Sequence, residues 1–345
     1  MKKKAFKIAF IIASLASLAF VPWILVKAWI LPLPNSIEEQ LEETIDHGFD
    51  GMIVYIDQAG KAPEFYTAGW HNRKNKIPAK PDALFKIASI SKLYNAVAIT
   101  KLVVDKRLDL DKTLAEYFPE LKTRIENSNK ITLRTMVQHR SGIPNYTSFG
   151  NFWENPPETR KEILELILDL PANFEPGKDY EYSNTNYLLI SMLIEKVVGY
   201  SHHQYIKEEI LKPLKLKHTF SSIKEIDTNE LMSAYYVGYE QDIKGNDYGS
   251  MVATAQDVGL FLRALNEGSL FDKKGQEIYS SIYVFDHGGL MPGYQSLAEY
   301  HKDINTVIVQ FMNTTNFEGY EWNLSEISIN RIAKILRKRK NDKAL

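Results

Sequence analysis

Hydrophobic positions fall into two patterns along this chain. Near both ends, short runs of β-branched and aromatic residues indicate strands, at 52–56, 65–69, 282–285, 294–300 and 306–312. In the middle, from about Leu84 to Leu265, apolar residues recur at helical spacing and predict helices at 90–106, 132–138, 158–169, 185–198, 202–211 and 255–266. Two further helices are expected, one beginning after the capping residue Ser36 and one over 325–338. The simplest architecture is a sheet that both chain ends build around a helical insertion.

The first thirty residues have a composition of their own. From Ile8 to Val26 the sequence holds no charged residue, which approaches the roughly 20 residues that span a bilayer as a helix. Four lysines precede this stretch and one follows it, so the charge bias predicts a cytoplasmic start and an extracytoplasmic remainder. A buried core helix is the alternative, which the flanking lysines make less favourable. Cleavage after Ser17-Leu18-Ala19 would instead release a secreted protein.

We therefore expect three segments. Residues 1–30 are a signal-anchor or transmembrane segment, and residues 31–35, which contain two prolines, are a short linker. Residues 36–345 form the folded domain, with a helical subdomain at about 84–265. The predicted location is the cell membrane, with a single pass and the folded domain outside the cytoplasm.

Composition and charge remove several function classes. The 345 residues are 44% hydrophobic and 25% charged, which is ordinary for a globular protein. Because five lysines and no acidic residue lie in the first thirty positions, the remainder is net acidic and offers no broad basic face to a nucleic acid. Cysteine is absent, which excludes disulfides, thiolate catalysis and Cys-ligated zinc. No acidic cluster accompanies the pair His202-His203, so neither a metal nor another cofactor is predicted.

A serine three residues before a lysine occurs twice, at Ser89/Lys92 and at Ser221/Lys224. On a helix the two side chains would share one face and could form a hydrogen bond. Ser89 opens a strongly apolar helical stretch, so its hydroxyl should lie at a helix N-terminus beside unpaired backbone donors. Ser221 lies among polar residues with no such helix. Taken alone, Ser89 is more simply a capping residue, and other motifs are needed to make it a candidate nucleophile.

Two such motifs are Tyr182-Ser183-Asn184 and His287-Gly288-Gly289. Singly, each has a structural explanation, as a tyrosine in a helix-entry turn and a histidine before a glycine turn. In this order, with helical sequence between them, the three elements resemble those of the serine β-lactamase and penicillin-binding protein superfamily, in its class C-like branch. The class A members carry Ser-Asp-Asn and Lys-Thr-Gly at the second and third places. Tyr-Ser-Asn and His-Gly-Gly stand there instead, as in the D,D-carboxypeptidase-like and esterase-like members.

The resemblance extends over most of the chain, roughly from Gly51 to Asn313. Stretches that are similar to family segments lie at 85–92, 108–114, 131–144, 174–177, 182–184, 249–257 and 287–293. The resemblance implies a mixed α/β fold of the β-lactamase/transpeptidase type. In that fold an antiparallel sheet is flanked by terminal helices, and the site lies between the sheet and an all-helical subdomain.

The resemblance also implies catalytic roles. Ser89 is the expected nucleophile, Lys92 its activator, and Tyr182 the proton shuttle to the leaving group and later to the hydrolytic water. A serine hydroxyl is a poor nucleophile until a neighbouring base takes its proton. Either Lys92 or Tyr182 could be that base, and the sequence does not choose between them.

Substrate-binding roles follow from the same resemblance. Asn184 is expected to donate to a substrate amide or to hold the catalytic lysine. The backbone N–H of Leu290, just past Gly289, is expected to complete an oxyanion hole together with the N–H of the nucleophile. Tyr146 belongs to an aromatic loop of the kind that lines a cleft. His287 replaces the lysine of many β-lactamases and, being mostly uncharged at neutral pH, should attract carboxylates weakly.

The function predicted from these motifs is a membrane-tethered, extracytoplasmic serine hydrolase that acts through an acyl-enzyme. Its expected partner is a small-molecule or peptide substrate, of the cell-wall peptide, ester or β-lactam kind, together with the membrane through the N-terminal segment. D,D-carboxypeptidase, D-amino-acid amidase or esterase action is favoured. A weak class C-like β-lactamase and a penicillin-binding sensor without turnover are the alternatives.

Overall fold

The computed structural model describes residues 16–342 and, before them, residues 3, 4, 7, 10 and 14. Its strands are β1 Gly51–Gln58, β2 Glu64–Asn72, β3 Ile77–Pro78, β4 Phe85–Lys86, β5 Thr219–Phe220, β6 Tyr235–Tyr236, β7 Val252–Ala253, β8 His287–Met291, β9 Tyr294–His301, β10 Thr306–Met312 and β11 Thr314–Thr315. Its α-helices are α1 Trp23–Ile30, α2 Ile37–Ile45, α3 Ser91–Val104, α4 Leu114–Tyr117, α5 Leu133–Val137, α6 Arg160–Glu165, α7 Asn184–Val198, α8 His202–Ile206, α9 Ala255–Asn266, α10 Lys273–Ile282 and α11 Glu321–Asp342. Helix α8 continues into a π-helical turn, Lys207–Leu211.

Six strands form the main sheet, in the order β3-β2-β1-β10-β9-β8, and all its neighbours are antiparallel. Side chains alternate between its two faces, as the period of two requires. On β1, Met52 and Val54 belong to one hydrophobic cluster, whereas Ile53 and Tyr55 belong to the other. Both faces are therefore covered, and β8 is left as an edge strand.

The helices at the two ends of the chain cover one face of this sheet. Ile37 and Leu41 of α2 share a cluster with Ile332 and Leu336 of α11. Helix α9 covers the other face and approaches closely, because a Cβ at Gly259 would lie only 2.2 Å from the ring of Tyr55. The predicted mixed α/β fold, with an antiparallel sheet and terminal flanking helices, is confirmed.

The region between the two halves of the sheet is mainly helical, as the apolar spacing predicted. The predicted helix at 158–169 is shorter in the structure, where α6 ends at Glu165. Two-residue strands also occur here, and β4, β7 and β5 form a small sheet behind the start of α3. The division of the chain at 30, 35, 84 and 265 stays a prediction.

One predicted strand is wrong. Residues 282–285 do not form a strand, since Ile282 is the last residue of α10 and the next strand begins at His287. Ile282 is buried because it lies on the inner face of α10 together with Tyr279. A run of four apolar residues does not distinguish a strand from the buried end of a helix.

Arg331 of α11 forms hydrogen bonds that hold the segment after α1 against the rest of the domain. This guanidinium is 6% exposed, and it donates to the backbone carbonyls of Leu31 (2.8 Å) and Pro32 (2.8 Å). It also donates to Gln40 Oε1 (2.6 Å) and to a carboxylate oxygen of Glu43 (3.1 Å) on α2. Helix α1 therefore ends in a fixed position against α11.

The predicted membrane span, Ile8 to Val26, lies partly outside the described residues, at Ile8, Ala9, Ile11, Ile12, Ala13 and Leu15. From Leu18 onward the chain makes a 3-10 turn, bends at Pro22 and enters α1, which has eight residues. Within the described part of the chain, no helix combines the length and the apolar composition that crossing a membrane requires.

Candidate active site

Ser89 lies in a 3-10 turn, Ala88–Ile90, that leads directly into α3. The residue before it, Ala88, has φ of 47°, in the left-handed region that side chains disfavour. Two contacts hold the turn in this conformation: the Ala88 N–H donates to Ser250 Oγ (3.0 Å), and the Ile87 N–H donates to the Met251 carbonyl (3.0 Å). The hydroxyl of Ser89 is thereby presented at the start of a buried helix.

Lys92 lies one turn further, on the same face of α3. Its side chain is buried, and its Nζ is 3.0 Å from Ser89 Oγ and 2.8 Å from Asn184 Oδ1. The rings of Tyr182 and Tyr187 pack around the amine at 5.0 and 5.5 Å from their centres. Burial lowers the pKa of Lys92 to about 7, since its contacts are neutral groups that do not compensate the lost hydration.

Tyr182 completes the group, because its hydroxyl donates to Ser89 Oγ at 2.6 Å. Burial raises the pKa of Tyr182 to about 12, so the phenol is protonated at neutral pH. Its ring stacks on His139, with centres 4.4 Å apart. His139 Nδ1 accepts the N–H of Ser183 (3.1 Å), which assigns the proton of this neutral imidazole to Nε2.

Asn184 is the first residue of α7, and its orientation is set by Asn145. Both the backbone N–H and the side-chain NH₂ of Asn184 donate to Asn145 Oδ1, at 3.0 and 3.3 Å. The side-chain carbonyl oxygen of Asn184, Oδ1, therefore faces the Lys92 amine. Of the two expected roles for Asn184, this geometry corresponds to holding the lysine.

Strand β8 runs directly alongside the nucleophile turn. A Cβ at Gly289 would lie 2.4 Å from the Ile87 carbonyl and 3.1 Å from Ala88 Cβ, so only glycine allows this approach. Leu290 follows it and lines the cleft with a side chain that is 37% exposed. In the described sheet the outer edge of β8 has no strand partner, and Leu290 lines the same cleft as Ser89.

His287, at the start of β8, has both ring nitrogens engaged within the protein. Its Nε2 contacts the hydroxyl of Tyr283 at 2.9 Å, and its Nδ1 contacts the carbonyl of Gly288. Burial, together with the nearby Lys92, lowers the pKa of His287 to about 4. The imidazole is neutral at working pH, and in this arrangement neither nitrogen is free for a substrate.

These residues surround a cleft of about 550 Å³. Its walls include Ser89, Lys92, Asn145, Tyr146, Thr147, Trp153, Tyr182, Asn184, Tyr248, His287, Gly288, Leu290, Met291, Phe317 and Trp322. The structure thus brings every site residue proposed from the sequence to one place, with Gly289 immediately behind the wall. Tyr146 is among them, held through its N–H by Thr185 Oγ1 at 3.1 Å.

Several residues at the cleft were not singled out from the sequence. His139 belongs to the stretch 131–144, which did resemble the family, and Asn145 directly precedes Tyr146 in the aromatic loop, so a sequence signal was available for both. No such signal was present in the sequence for Tyr248, Phe317 and Trp322, because each reaches the cleft only through tertiary packing. In the described chain no group of three or more His, Asp or Glu residues is arranged to hold a metal.

Comparisons with known proteins show which sequences this chain is similar to. Protein flp of Staphylococcus aureus (strain MW2) is 29% identical over 214 residues, which are 60% of this chain and 42% of the relative, so this chain spans less than half of that protein's length. The N-acetylmuramyl-L-alanine amidase of Bacillus subtilis (strain 168) is 25% identical over 306 residues, covering 73% of this chain and 68% of the amidase.

A solved structure shares the fold. The D-amino acid amidase from Ochrobactrum anthropi SV3, complexed with L-phenylalanine amide, superposes with a TM-score of 0.78 at 22% identity, covering 89% of this chain and 99% of the amidase. The sequence model of the family described as Beta-lactamase matches residues 35–323, which include the serine, the lysine, the tyrosine and strand β8. This chain therefore belongs to the beta-lactamase family.

Proposed function

We propose that this protein is a serine hydrolase that cleaves an ester or amide bond through an acyl-enzyme on Ser89. The observation that carries the proposal is the pair of contacts at Ser89 Oγ, with the Lys92 amine at 3.0 Å and the Tyr182 hydroxyl at 2.6 Å. Family membership supports it, and so do the amidase names of two relatives. D,D-carboxypeptidase, D-amino-acid amidase and esterase action remain the favoured activities.

In the proposed acylation, Lys92 acts as the base. With a pKa of about 7, much of its amine is neutral at pH 7 and can accept the proton of Ser89. The Oγ–carbon bond forms while the oxyanion is stabilised by the backbone N–H groups of Ser89 and Leu290, a pair worth several kcal/mol of barrier. As the bond to the departing oxygen or nitrogen breaks, Tyr182 gives that atom its proton, and the Lys92 ammonium, which lies beside the Tyr182 ring, returns a proton to the phenolate.

Deacylation runs over the same groups in reverse. Water takes the position of the leaving group. Tyr182 passes its proton to the neutral Lys92 amine and takes one from the water, whose oxygen bonds to the acyl carbon. The bond from that carbon to Ser89 Oγ then breaks, and the Ser89 oxygen regains its proton from the Lys92 ammonium. Asn184 keeps the lysine in reach through its 2.8 Å contact. None of the described residues that line the cleft is an Asp or Glu, so this route assigns no carboxylate base.

The test is mass spectrometry of the intact protein after incubation with a fluorescent penicillin, an aryl ester and a D-Ala-D-Ala peptide. Turnover with a transient adduct supports the hydrolase, and the best substrate ranks the activities. The neutral His287 supports weak β-lactam turnover as the second candidate. A stable adduct without turnover on any substrate would instead indicate a penicillin-binding sensor.

Tethering to the membrane, with residues 36–345 outside the cytoplasm, is part of the same proposal. Its support is the lysine-flanked apolar stretch of sequence, which continues into exposed aromatic residues such as Phe20 (86% exposed) and Trp29 (77%). Fractionation of producing cells should recover the full chain in membranes that resist a carbonate wash. Recovery of full-length chain in the soluble fraction would contradict tethering, and N-terminal sequencing would reveal cleavage near Ala19.

A further inference from the structure

One side of the cleft is an aromatic wall, defined by Trp153, Tyr248, Phe317 and Trp322. The ring of Trp153 meets that of Tyr248 at 5.3 Å and that of Phe317 at 5.9 Å, both edge-on. The Tyr248 hydroxyl also donates to the Trp153 carbonyl at 3.2 Å. Three segments that are distant in sequence are thus fixed against each other, so this part of the wall is formed before substrate arrives.

Trp322 extends the aromatic wall toward strand β8. A Cβ at Gly288 would lie 2.6 Å from the indole ring, so the absence of a side chain lets the ring pack onto the strand. The indole N–H donates to Glu326 at 2.9 Å, which fixes the orientation of the ring. Leu290 and Met291 continue this apolar surface beyond Ser89.

Charge is scarce around this wall. Among the described residues that line the cleft, Lys92 is the one Lys, Arg, Asp or Glu, and its amine is held by Ser89 and Asn184. Asp247, beside Tyr248, is directed elsewhere: it pairs with Lys224 at 3.5 Å and accepts the N–H of Gly249 at 3.0 Å.

The neighbouring cation, Lys86, also points away from substrate. It is 1% exposed and donates to the backbone carbonyls of Lys244 and Asn246. An ammonium or carboxylate on a substrate would therefore lose hydration in this cleft and find no opposite charge, which is unfavourable. A flat apolar group would gain from contact with the aromatic wall.

Resting on the proposed hydrolase function, we infer that the substrate is a neutral ester or N-capped amide whose apolar, preferably aromatic, group lies against Trp153, Tyr248, Phe317 and Trp322. Free amino acid amides and peptides with a free carboxylate beside the scissile bond are poor substrates for the same reason. The inference thus selects among the activities proposed above.

The test uses three methyl esters of D-phenylalanine that share one scissile bond: N-acetyl (neutral), N-succinyl (anionic) and N,N,N-trimethyl (permanently cationic). We expect kcat/KM for the N-acetyl ester to exceed both others by about 10-fold or more, and to exceed that of N-acetyl-D-alanine methyl ester by a similar factor. Equal or better rates with a charged ester, while Ser89→Ala is inactive, would overturn the inference and leave the hydrolase proposal standing. Failure on all four esters, without any acylation of Ser89, would overturn the hydrolase proposal and the inference with it.

Two variants address the wall itself. Trp153→Ala should reduce the preference for the phenylalanyl over the alanyl ester by about 5-fold or more, whereas Trp29→Ala, an exposed tryptophan on α1, should leave it unchanged. Phe317→Lys places a cation at the rim and should raise the relative rate of the succinyl ester by about 10-fold. If both Trp153→Ala and Phe317→Lys fold and leave the substrate preferences unchanged, the wall does not contact the substrate and the inference is wrong.

Discussion

A serine three residues before a lysine occurs in two regions of this molecule, and the two pairs have opposite surroundings. At Ser89 and Lys92 the hydroxyl and the amine are 3.0 Å apart, and the lysine is buried. At Ser221 and Lys224 the hydroxyl donates to Glu225, while the lysine, 81% exposed, pairs with Asp247 at 3.5 Å. The second serine contacts a carboxylate and no amine, and the second lysine pairs with another carboxylate.

The difference arises from what surrounds each pair. Ser89 opens α3, a fourteen-residue helix whose first turns are enclosed by the sheet, α7 and α10, so Lys92 loses hydration. Ser221 precedes a three-residue 3-10 turn on the surface, where Lys224 keeps its water and a carboxylate partner. An exposed ion pair contributes little free energy and no reactivity, whereas burial of an amine changes its pKa.

Replacing the two serines tests this comparison with the largest expected effect. Ser89→Ala should abolish covalent labelling and lower turnover by at least ~10⁴-fold, because the nucleophile is gone. Ser221→Ala should change neither, since its hydroxyl contacts only Glu225. Intact-protein mass spectrometry and ester hydrolysis measure both quantities. Labelling that persists in Ser89→Ala would remove the basis of the site assignment.

The lysines can be compared in the same way. Lys92→Met fills a similar volume without an amine and should lower kcat/KM by about 10³-fold, the range of a general base. Lys224→Met should be as active as the unaltered protein. Thermal unfolding serves as the control, because the buried methionine should leave the melting temperature unchanged or raised. Near-normal activity of a folded Lys92→Met protein would transfer the base role to Tyr182.

Tyr182→Phe removes the hydroxyl and keeps the ring that stacks on His139. We expect at least ~10²-fold slower turnover, with an unchanged melting temperature, because a proton carrier is lost and the packing is retained. Rates like those of the unaltered protein would leave Lys92 as the sole proton carrier. No tyrosine contacts Ser221 in the described structure, so the second pair lacks this element altogether.

A pH profile separates a buried amine from an exposed one. In the proposed mechanism the neutral form of Lys92 is the active form. Because its pKa is about 7, kcat/KM should rise with pH through about 7 and level off above it. At pH 6 it should be about one tenth of the plateau. A lysine with the ordinary pKa of that side chain would place this rise near pH 10. A rise located there would show that Lys92 is not the titrating base.

The smallest expected effect belongs to His287→Lys, which places a second cation near Lys92. Succinyl esters should gain about 5-fold relative to acetyl esters, the scale of a ~1 kcal/mol charge pair in a partly exposed cleft. The same change should move the rising limb of the pH profile to lower pH, because a neighbouring cation disfavours protonation of the amine. If the variant folds and neither quantity moves, the side chain at 287 does not face Lys92 or the substrate.

Much of this arrangement could be predicted from the sequence, and the misses have physical reasons. β1, β9 and β10 were found because residues of both apolar clusters alternate along them, and β2 because it is rich in aromatic residues. The order of the motifs identified Ser89, Lys92, Tyr182, Asn184 and His287, since each motif is a short local pattern. The polar helix α10 and the aromatic wall were not found. Contacts such as that between Trp153 and Phe317 join loops far apart in the chain, and no local periodicity records them.

The hydrogen bonds of Arg331 determine how far the chain can be shortened from its N-terminus without loss of stability. A version that starts at Ser36, the first residue that the sequence pattern assigns to the folded body, loses the carbonyls of Leu31 and Pro32 and uncovers the guanidinium. Each donor left without a partner costs about 1–3 kcal/mol unless water replaces what was lost. A version that starts just before Trp23 keeps every hydrogen-bond acceptor of the Arg331 guanidinium. It also keeps the packing of Ala28 against α11. Secretion leaders and purification tags therefore belong ahead of α1, which packs against α11.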